Sequence, residues 1–116
     1  NEVRKGCHIN AIGATTLDAR EMDTNTVLRS KVVLENREIG FSQAGDFRIP
    51  VEEGKVKADA YKADLAGVVT GKTIVRTSED DSTLFKSVGH PAVDFYLAVA
   101  AYEEALKRRV GEEVGA

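Results

Sequence analysis

The residues best suited to chemistry fall in two stretches, each containing a short apolar strand that ends in small and polar residues. The first covers residues 8–13 and runs on to residues 20–23, and the second covers residues 76–81 and runs on to residues 84–89. Open α/β sheets bind their ligands in the crevice outside the carboxyl ends of the strands. The two stretches therefore predict a ligand site shared by two strand ends.

Two side chains near the second strand end are weak candidates for contact with a substrate, and each has a plainer alternative. His90 follows Gly89 and could reach a ligand, although an exposed histidine at a helix entry is the commoner arrangement. Lys86 is unusual within an apolar strand. It either points toward the site or lies at the sheet edge with its ammonium group in solvent.

The acidic residues 79–81 and Cys7 are the remaining candidates. Adjacent carboxylates could bind a divalent cation, but in a loop before a strand they are more commonly solvated or cap backbone N–H groups, which is the interpretation that we favour. Cys7 is the only cysteine, which excludes an internal disulfide, and it lacks spaced metal-binding partners. We expect a buried, structural Cys7 and no metal site.

An alternation of strands and helices positions these residues. Apolar runs, caps and breakers predict strands over residues 8–12, 31–35 and 83–87, and helices over residues 24–29, 37–44 and from Pro91 to about Arg109. This alternation indicates the α/β class with a mainly parallel sheet.

The middle and the end of the chain carry less regular patterns. Residues 47–51 alternate between apolar and polar, and a further helix is expected to begin at Asp59 or Ala60. The last helix is apolar around most of its circumference over residues 95–102, unlike an amphipathic helix that lies on one sheet. We expect it to contact more than one neighbour, including a surface outside this chain.

Composition restricts the class of protein. The 116 residues carry 16 basic and 19 acidic side chains, a formal net charge of -3 without a basic stripe, so nucleic acid is not an expected partner. No apolar run approaches the roughly 20 residues that cross a bilayer, and no signal-like segment follows the start. We expect a cytoplasmic protein with no membrane partner. Because the chain begins with Asn, we also expect a longer parent.

The compact motifs that bind a nucleotide or present a nucleophile are absent from the sequence. It contains no G-x-G-x-x-G, no P-loop and no G-x-S-x-G. Any nucleotide role of this chain must therefore be shared with residues outside it.

The sequence resembles the ornithine cyclodeaminase/mu-crystallin family, which includes archaeal-type alanine dehydrogenases and reductases of cyclic imines. Short matches in a fixed order span almost the whole chain, and such a series is more specific than any single match. The matching pieces are Gly6-x-His8-Ile9-Asn10-Ala11-Ile12-Gly13-Ala14, Arg20-Glu21-Met22-Asp23, Arg37-Glu38, Gly45-Asp46, Gly67, Gly71-Lys72, Arg76-Thr77-Ser78-Glu79-Asp80, Thr83-Leu84-Phe85-Lys86-Ser87-Val88-Gly89, Val93-Asp94 and Ala100-Ala101-x-x-Glu104.

The resemblance implies a fold and a domain organisation. Residues 1–90 would be the C-terminal part of a Rossmann-type NAD(P)-binding domain, a partial three-layer parallel sheet. Residues 91–116 would form a long C-terminal helix that packs on a dimerisation domain outside this chain. The glycine-rich turn and the family's substrate-binding arginine and lysine would lie in the remaining N-terminal part of the enzyme. The implied cofactor is NAD or NADP, and the implied assembly is a homodimer.

The resemblance also implies site residues. Two strand exits would lie beside the nicotinamide ring, where small residues let the backbone approach the cofactor: Ala11, Ile12 and Gly13, and Ser87, Val88 and Gly89. Two positions after Gly13, cyclodeaminases hold an aspartate that handles the substrate's amino group. This chain has Thr15 there, which we predict to be the catalytic residue.

Thr15 favours one class of reaction. A hydroxyl can orient a substrate or a water, but it cannot supply a carboxylate's charge or readily accept a proton at neutral pH. Ketimine reductases similar to mu-crystallin carry a hydroxyl residue at this place. We therefore expect a parent oxidoreductase that acts on an amino acid, a cyclic imine or a 2-oxo acid, and an inactive isolated chain. The alternatives are an ornithine cyclodeaminase parent and a non-catalytic α/β remnant that binds a partner or self-associates.

Overall fold

The computed structural model describes residues 3–112 and 114–115. Strands and short helices alternate along the chain before one long helix at the end. The elements are β1 (His8–Ala11), α1 (Thr24–Arg29), β2 (Lys31–Leu34), α2 (Arg37–Gln43), α3 (Gly45–Glu52), a 3-10 turn (Ala58–Ala60), β3 (Ala63–Asp64), α4 (Leu65–Val69), β4 (Thr83–Lys86) and α5 (Pro91–Arg108).

The four strands form one parallel sheet in the order β1-β4-β2-β3. Strand β4 lies between β1 and β2, so that Lys86 pairs in register with Ala11 on one side and with Leu34 on the other. All four strands end at one side of the sheet, here named the carboxyl end, and begin at the other, the amino end. The predicted α/β class with a parallel sheet is confirmed, and the exits of β1 and β4 are neighbours.

Side-chain caps determine where three of the helices begin. Asp23, Asn36 and Asp64 each accept hydrogen bonds from backbone N–H groups in the first turn of α1, α2 and α4, respectively. Such caps satisfy donors that have no partner within the helix. The bounds predicted for α1 are confirmed, and those of α2 agree to within one residue.

The core lies between the central strands and α3. Leu34 of β2, Leu84 of β4 and Phe47 of α3 are each fully buried, and Tyr61 packs against Phe47 with a ring-centroid distance of 4.8 Å. Burial raises the pKa of Tyr61 to about 12. The apolar strands predicted around Leu34 and Leu84 thus form the centre of the sheet.

The structure corrects the middle section of the sequence-based prediction. Residues 47–51 belong to α3, which buries Phe47 and Pro50 three residues apart on one helical face. The prediction of a helix that begins at Asp59 or Ala60 is wrong, because a 3-10 turn lies there and is followed by β3 and the five-residue α4. Asp64 explains why α4 begins only at Leu65, because its carboxylate accepts a hydrogen bond of 2.7 Å from Gly67 N and so caps the helix there.

The long helix α5 confirms the helix predicted from Pro91 to about Arg109. None of its 18 residues, all within the described part of the chain, is buried. The exposed fractions of Phe95, Tyr96 and Leu97 are 64%, 71% and 68%. What α5 packs against stays a prediction. Among the described residues, no helix has both the length and the apolarity needed to cross a membrane.

Candidate functional site

The exits of β1 and β4 lie side by side at the carboxyl end of the sheet. Ser87 N donates to Ala11 O at 3.2 Å, which extends the pairing of the two strands past their last residues. Ala11 is buried, whereas Ile12 and Gly13 are exposed beyond it. The structure therefore brings the two groups of predicted cofactor-binding residues next to each other.

Ser87 fixes the turn that follows β4. Its hydroxyl donates to Glu35 Oε2 at 2.6 Å and accepts from Gly89 N at 3.0 Å. Gly89 has a φ of +88°, in the left-handed region that favours glycine. Val88 is half-buried between them. This turn leads the chain out of the sheet and toward α5.

His90 is the N-cap of α5. Its Nδ1 accepts from Ala92 N at 3.3 Å, and Pro91 occupies the first turn, where a missing N–H does no harm. The helix-entry position considered for His90 is confirmed. Its contact with a substrate stays a prediction.

Lys86 is fully buried at the end of the central strand. Its Nζ donates to Glu21 Oε1 at 2.9 Å and lies 2.9 Å from Asp46 Oδ2 in an ion pair. A buried ammonium group requires an opposite charge, and here it has two. The alternative with a solvent-exposed ammonium group is therefore wrong. The predicted substrate-proximal role of Lys86 stays a prediction.

Asp46 attaches the loop of residues 14–20 to the start of α3. Its buried Oδ1 accepts from the backbone N–H groups of Glu21 and Met22, at 2.9 and 2.8 Å. Beside it, Gly45 N donates to Thr16 O at 3.0 Å, and a Cβ on Gly45 would collide with backbone carbonyl oxygens of this loop. The loop is thus in direct backbone contact with α3.

Glu21 connects this loop to both strand exits. Both of its carboxylate oxygens accept from Gly13 N at 2.9 Å, and its side chain is 27% exposed. Partial burial works against ionisation, but hydrogen bonds from Lys86 and from Gly13 outweigh it and lower the pKa of Glu21 below its usual value. Glu21 is therefore a carboxylate at neutral pH.

Thr15 lies in the loop between Gly13 and Glu21, and its side chain is exposed. The loop is attached at both ends, through the Gly13–Glu21 bond and through the contacts with Gly45 and Asp46. Thr15 is thus presented at the carboxyl end on an anchored loop. Its catalytic role stays a prediction.

The roles of Glu21 and Asp46 were not predicted from the sequence. Both lie within matched pieces, but 25 residues separate them, and neither has the spacing of a local motif. One signal was present: a lysine in an apolar strand needs buried counter-charges from elsewhere in the chain.

The acidic loop 77–81 lies at the amino end of the sheet, opposite the predicted ligand site. Asp81 Oδ2 accepts from Thr77 N and Ser78 N at 2.8 and 2.9 Å and from Lys31 Nζ at 2.7 Å. These bonds, of which the one from Lys31 contributes most, hold the pKa of Asp81 well below its usual range. The predicted capping is confirmed for Asp81, whereas Glu79 and Asp80 are exposed.

Two further expectations concern Cys7 and metals. Cys7 is half-buried rather than buried, and its Sγ donates to Ser82 Oγ at 3.7 Å. Within residues 3–112 and 114–115, no group of three or more histidine, cysteine, aspartate or glutamate side chains is placed to bind a metal ion.

A cleft of about 670 Å³ lies at the exits of β2 and β3, lined by residues that include Asn36, Phe41, Tyr61 and Asp64. None of the predicted site residues lines it. We assign the candidate site to the exits of β1 and β4 instead, because that is where the exposed backbone, the anchored loop and the buried charges coincide.

Comparison with known proteins establishes the family. The sequence profile of the ornithine cyclodeaminase/mu-crystallin family matches residues 1–109, and the chain belongs to this family. The resemblance identified from the sequence is confirmed.

Individual relatives give the degree of similarity. The chain is 34% identical over 113 residues to the Delta(1)-pyrroline-2-carboxylate reductase of Bacillus cereus, a match that covers 97% of this chain and 35% of the reductase. The structure of Thermococcus litoralis Delta(1)-pyrroline-2-carboxylate reductase in complex with NADH and L-proline is similar with a TM-score of 0.83 and 41% identity, over 97% of this chain and 35% of that one.

An archaeal alanine dehydrogenase dimer with bound NAD is similar with a TM-score of 0.77 and 29% identity, over 97% of this chain and 35% of that one. The chain thus spans about a third of the length of these relatives.

Proposed function

We propose that the chain is the C-terminal portion of an NAD(P)-dependent oxidoreductase that transfers hydride between nicotinamide and an amino acid, its cyclic imine or its 2-oxo acid. The observation that carries this proposal is the adjacency of the β1 and β4 exits, linked by Ser87 N–Ala11 O, in a member of this family. The Thermococcus litoralis and archaeal relatives, whose structures contain NADH or NAD, support the choice of cofactor.

The two exits would form one wall of the nicotinamide pocket. Gly13 is exposed and has no side chain, so a flat ring could approach its backbone on a face that the Glu21 carboxylate does not cover. Ile12, 67% exposed, offers an apolar surface next to it. Across from them, Ser87 and Gly89 form a turn in which the Ser87 hydroxyl and the Gly89 N–H already have partners within the protein. The cofactor would supply the hydride, and this wall would orient it.

Thr15 would act on the substrate rather than on the cofactor. Its hydroxyl can donate a hydrogen bond to a carboxylate or orient a water beside an imine nitrogen, but it adds no charge. Binding of the substrate's carboxylate would then depend on the basic residues that the family resemblance places in the N-terminal part of the enzyme. An imine or 2-oxo acid substrate is compatible with a Thr15 that carries no charge and with a carboxylate-binding group outside this chain.

The proposed domain organisation follows the same division. Residues 1–90 would complete an NAD(P)-binding domain whose first half precedes this chain. The helix within residues 91–116 would bury its apolar side chains by packing against the dimerisation domain of a homodimer. The exposure of Phe95, Tyr96 and Leu97 supports this. Residues 113 and 116 lie outside the described part of the chain.

The test is an assay of the protein expressed from the longest reading frame that contains this chain. We expect oxidation of NADH or NADPH with Δ1-pyrroline-2-carboxylate, or with pyruvate and ammonia, and no turnover by the 116-residue chain alone. Absence of turnover with every such substrate would contradict the proposal. Turnover by the 116-residue chain alone would contradict the proposal that the active site is shared with residues outside this chain.

The cyclodeaminase alternative depends on Thr15. If Thr15 is what prevents ornithine cyclisation, Thr15→Asp in the longer protein should raise ornithine conversion, and Thr16→Asp is the matched control one residue away. An unchanged rate in Thr15→Asp would remove the argument that this position separates the two reactions.

The non-catalytic alternative depends on α5. If this helix serves self-association, light scattering should give an oligomer of the 116-residue chain that Leu97→Glu disperses. A monomer at all concentrations would remove self-association and leave only the form of this alternative in which the helix binds a different partner.

A further inference from the structure

The buried charges at the carboxyl end form a continuous path between the two strand exits. Lys86 lies on β4, Asp46 on α3, and Glu21 bridges from Lys86 to Gly13 N beyond β1. Each link measures 2.9 Å, and the Lys86 and Asp46 side chains have no exposed surface. We call these three side chains the buried triad after Lys86 and Asp46, while that of Glu21 is 27% exposed.

We propose that Lys86 is a positioning residue: acting through Glu21, it fixes the backbone at Gly13 and with it the start of the loop that presents Thr15. This inference rests on the proposed function, because it concerns the same wall of the pocket. It assigns roles to Lys86 and Glu21 that do not require either to touch a substrate.

The hydrogen-bond arrangement supports positioning over simple stabilisation. A buried ion pair is often no more stabilising than well-packed apolar side chains of similar volume. Lys86 and Asp46 neutralise each other, yet Glu21 joins them with a second carboxylate and directs both oxygens at one backbone amide. That amide belongs to an exposed glycine, which water could otherwise solvate.

The arrangement also defines what Gly13 can offer a ligand. Its N–H is committed to Glu21, so it is not a free donor for the cofactor or the substrate. On the side where a Cβ would stand, Glu21 Oε2 covers Gly13, at 2.6 Å from that Cβ position, so a flat ring would have to approach this exposed glycine from another side. The buried triad would thus restrict how a ring can stack on Gly13.

The first test removes one of the two acceptor oxygens, and the charge they share, without leaving a buried charge unpaired. In Glu21→Gln, Lys86 keeps Asp46, but the side-chain amide has one oxygen where the carboxylate had two. We expect hydrogen exchange at the Gly13 amide, measured by NMR in the 116-residue chain, to become about 10-fold to 100-fold faster. Glu52→Gln, which loses only an exposed pair with Arg48, should change it less than about twofold.

The second test separates positioning from stability. Lys86→Met combined with Asp46→Asn removes both buried charges together, and the side-chain amide oxygen introduced at position 46 can still accept from the same backbone N–H groups. We expect thermal stability near that of the wild type but Gly13 exchange about 10-fold faster, because Glu21 has lost its anchor. Wild-type exchange at Gly13 in either this double variant or Glu21→Gln would overturn the proposal.

The last test uses the longer protein and hydride transfer. Glu21→Gln should lower kcat at least about 10-fold while changing the KM for the cofactor less, as expected when geometry rather than binding is lost. An unchanged kcat with fast Gly13 exchange would overturn the positioning role. If the wild-type enzyme transfers no hydride, the proposed function fails, while the exchange experiments still decide whether Lys86 and Glu21 fix Gly13.

Discussion

The two ends of the sheet each contain a lysine–carboxylate pair, and they differ in burial. At the amino end, Lys31 Nζ meets Asp81 Oδ2 at 2.7 Å with 41% and 20% of the side chains exposed. At the carboxyl end, Lys86 and Asp46 meet at 2.9 Å with none of either side chain exposed. Burying charge is expensive. Within residues 3–112 and 114–115, the ion pair with no exposed side-chain surface lies at the end of the sheet where parallel sheets bind their ligands.

The two ends also differ in how their carboxylates are held. Asp81 is bound within the turn of residues 77–81, with Lys31 added from β2. The buried triad joins β4, α3 and the loop after β1 across 25 to 65 residues. Long-range bonds occur at both ends, since Arg76 Nη1 donates to Gly6 O at the amino end, so the contrast between the two ends is one of burial.

Among the variants that test this contrast, loss of the buried Lys86 should reduce the free energy of unfolding the most. Lys86→Met leaves Asp46 buried without a counter-ion, and we expect it to lower the free energy of unfolding by about 3–5 kcal/mol. Urea denaturation of the 116-residue chain measures this. Lys107→Met, on an exposed α5 side chain, is the control and should be near neutral. Equal effects of the two variants would contradict the account.

A smaller effect is expected where the loop of residues 14–20 meets α3. A methyl group in Gly45→Ala would press on the carbonyl oxygens of Leu17 and Ala19, which must shift. We expect a loss of about 1–3 kcal/mol. Gly40→Ala offers a control within α2, since its Cβ would meet only the Leu34 side chain, at 3.3 Å. A Gly45→Ala variant as stable as the wild type would show that the loop of residues 14–20 is not in close contact with α3.

Loss of the exposed Lys31–Asp81 pair at the amino end should reduce stability less than Lys86→Met or Gly45→Ala. Lys31→Met removes one bond from Asp81 but leaves its two backbone N–H donors in place. We expect the melting temperature to fall by less than about 5 °C. A drop as large as that of Lys86→Met would remove the distinction between the two ends.

The pH dependence of stability should reflect both ends. Folding lowers the pKa of Glu21 and of Asp81, so the folded state binds fewer protons than the unfolded state in acid. Their contributions are present above the ordinary carboxyl pKa values of about 4 and are lost as pH falls below them. Urea midpoints should decline below about pH 4, and more gently in Asp81→Asn. A flat profile in acid would contradict these shifts.

The sequence predicted the parts of this structure that depend on neighbouring residues. Asp23 before α1, the apolar run of β2 and Pro91 at the start of α5 each act within a few residues of where they stand. The sheet order was not predictable from such signals, because β4 enters between β1 and β2 late in the chain. The partners of Lys86 were missed for the same reason, since neither lies near it in sequence.

The central claim is that the exits of β1 and β4 form a wall of the cofactor pocket, and hydrogen–deuterium exchange with mass spectrometry tests it most directly. The measurement compares the protein from the longest reading frame with and without NADH or NADPH. We predict slower exchange in peptides that cover residues 11–15 and 87–90, and no change over residues 76–82. Protection confined to residues 76–82, or absent from both exits, would contradict the account.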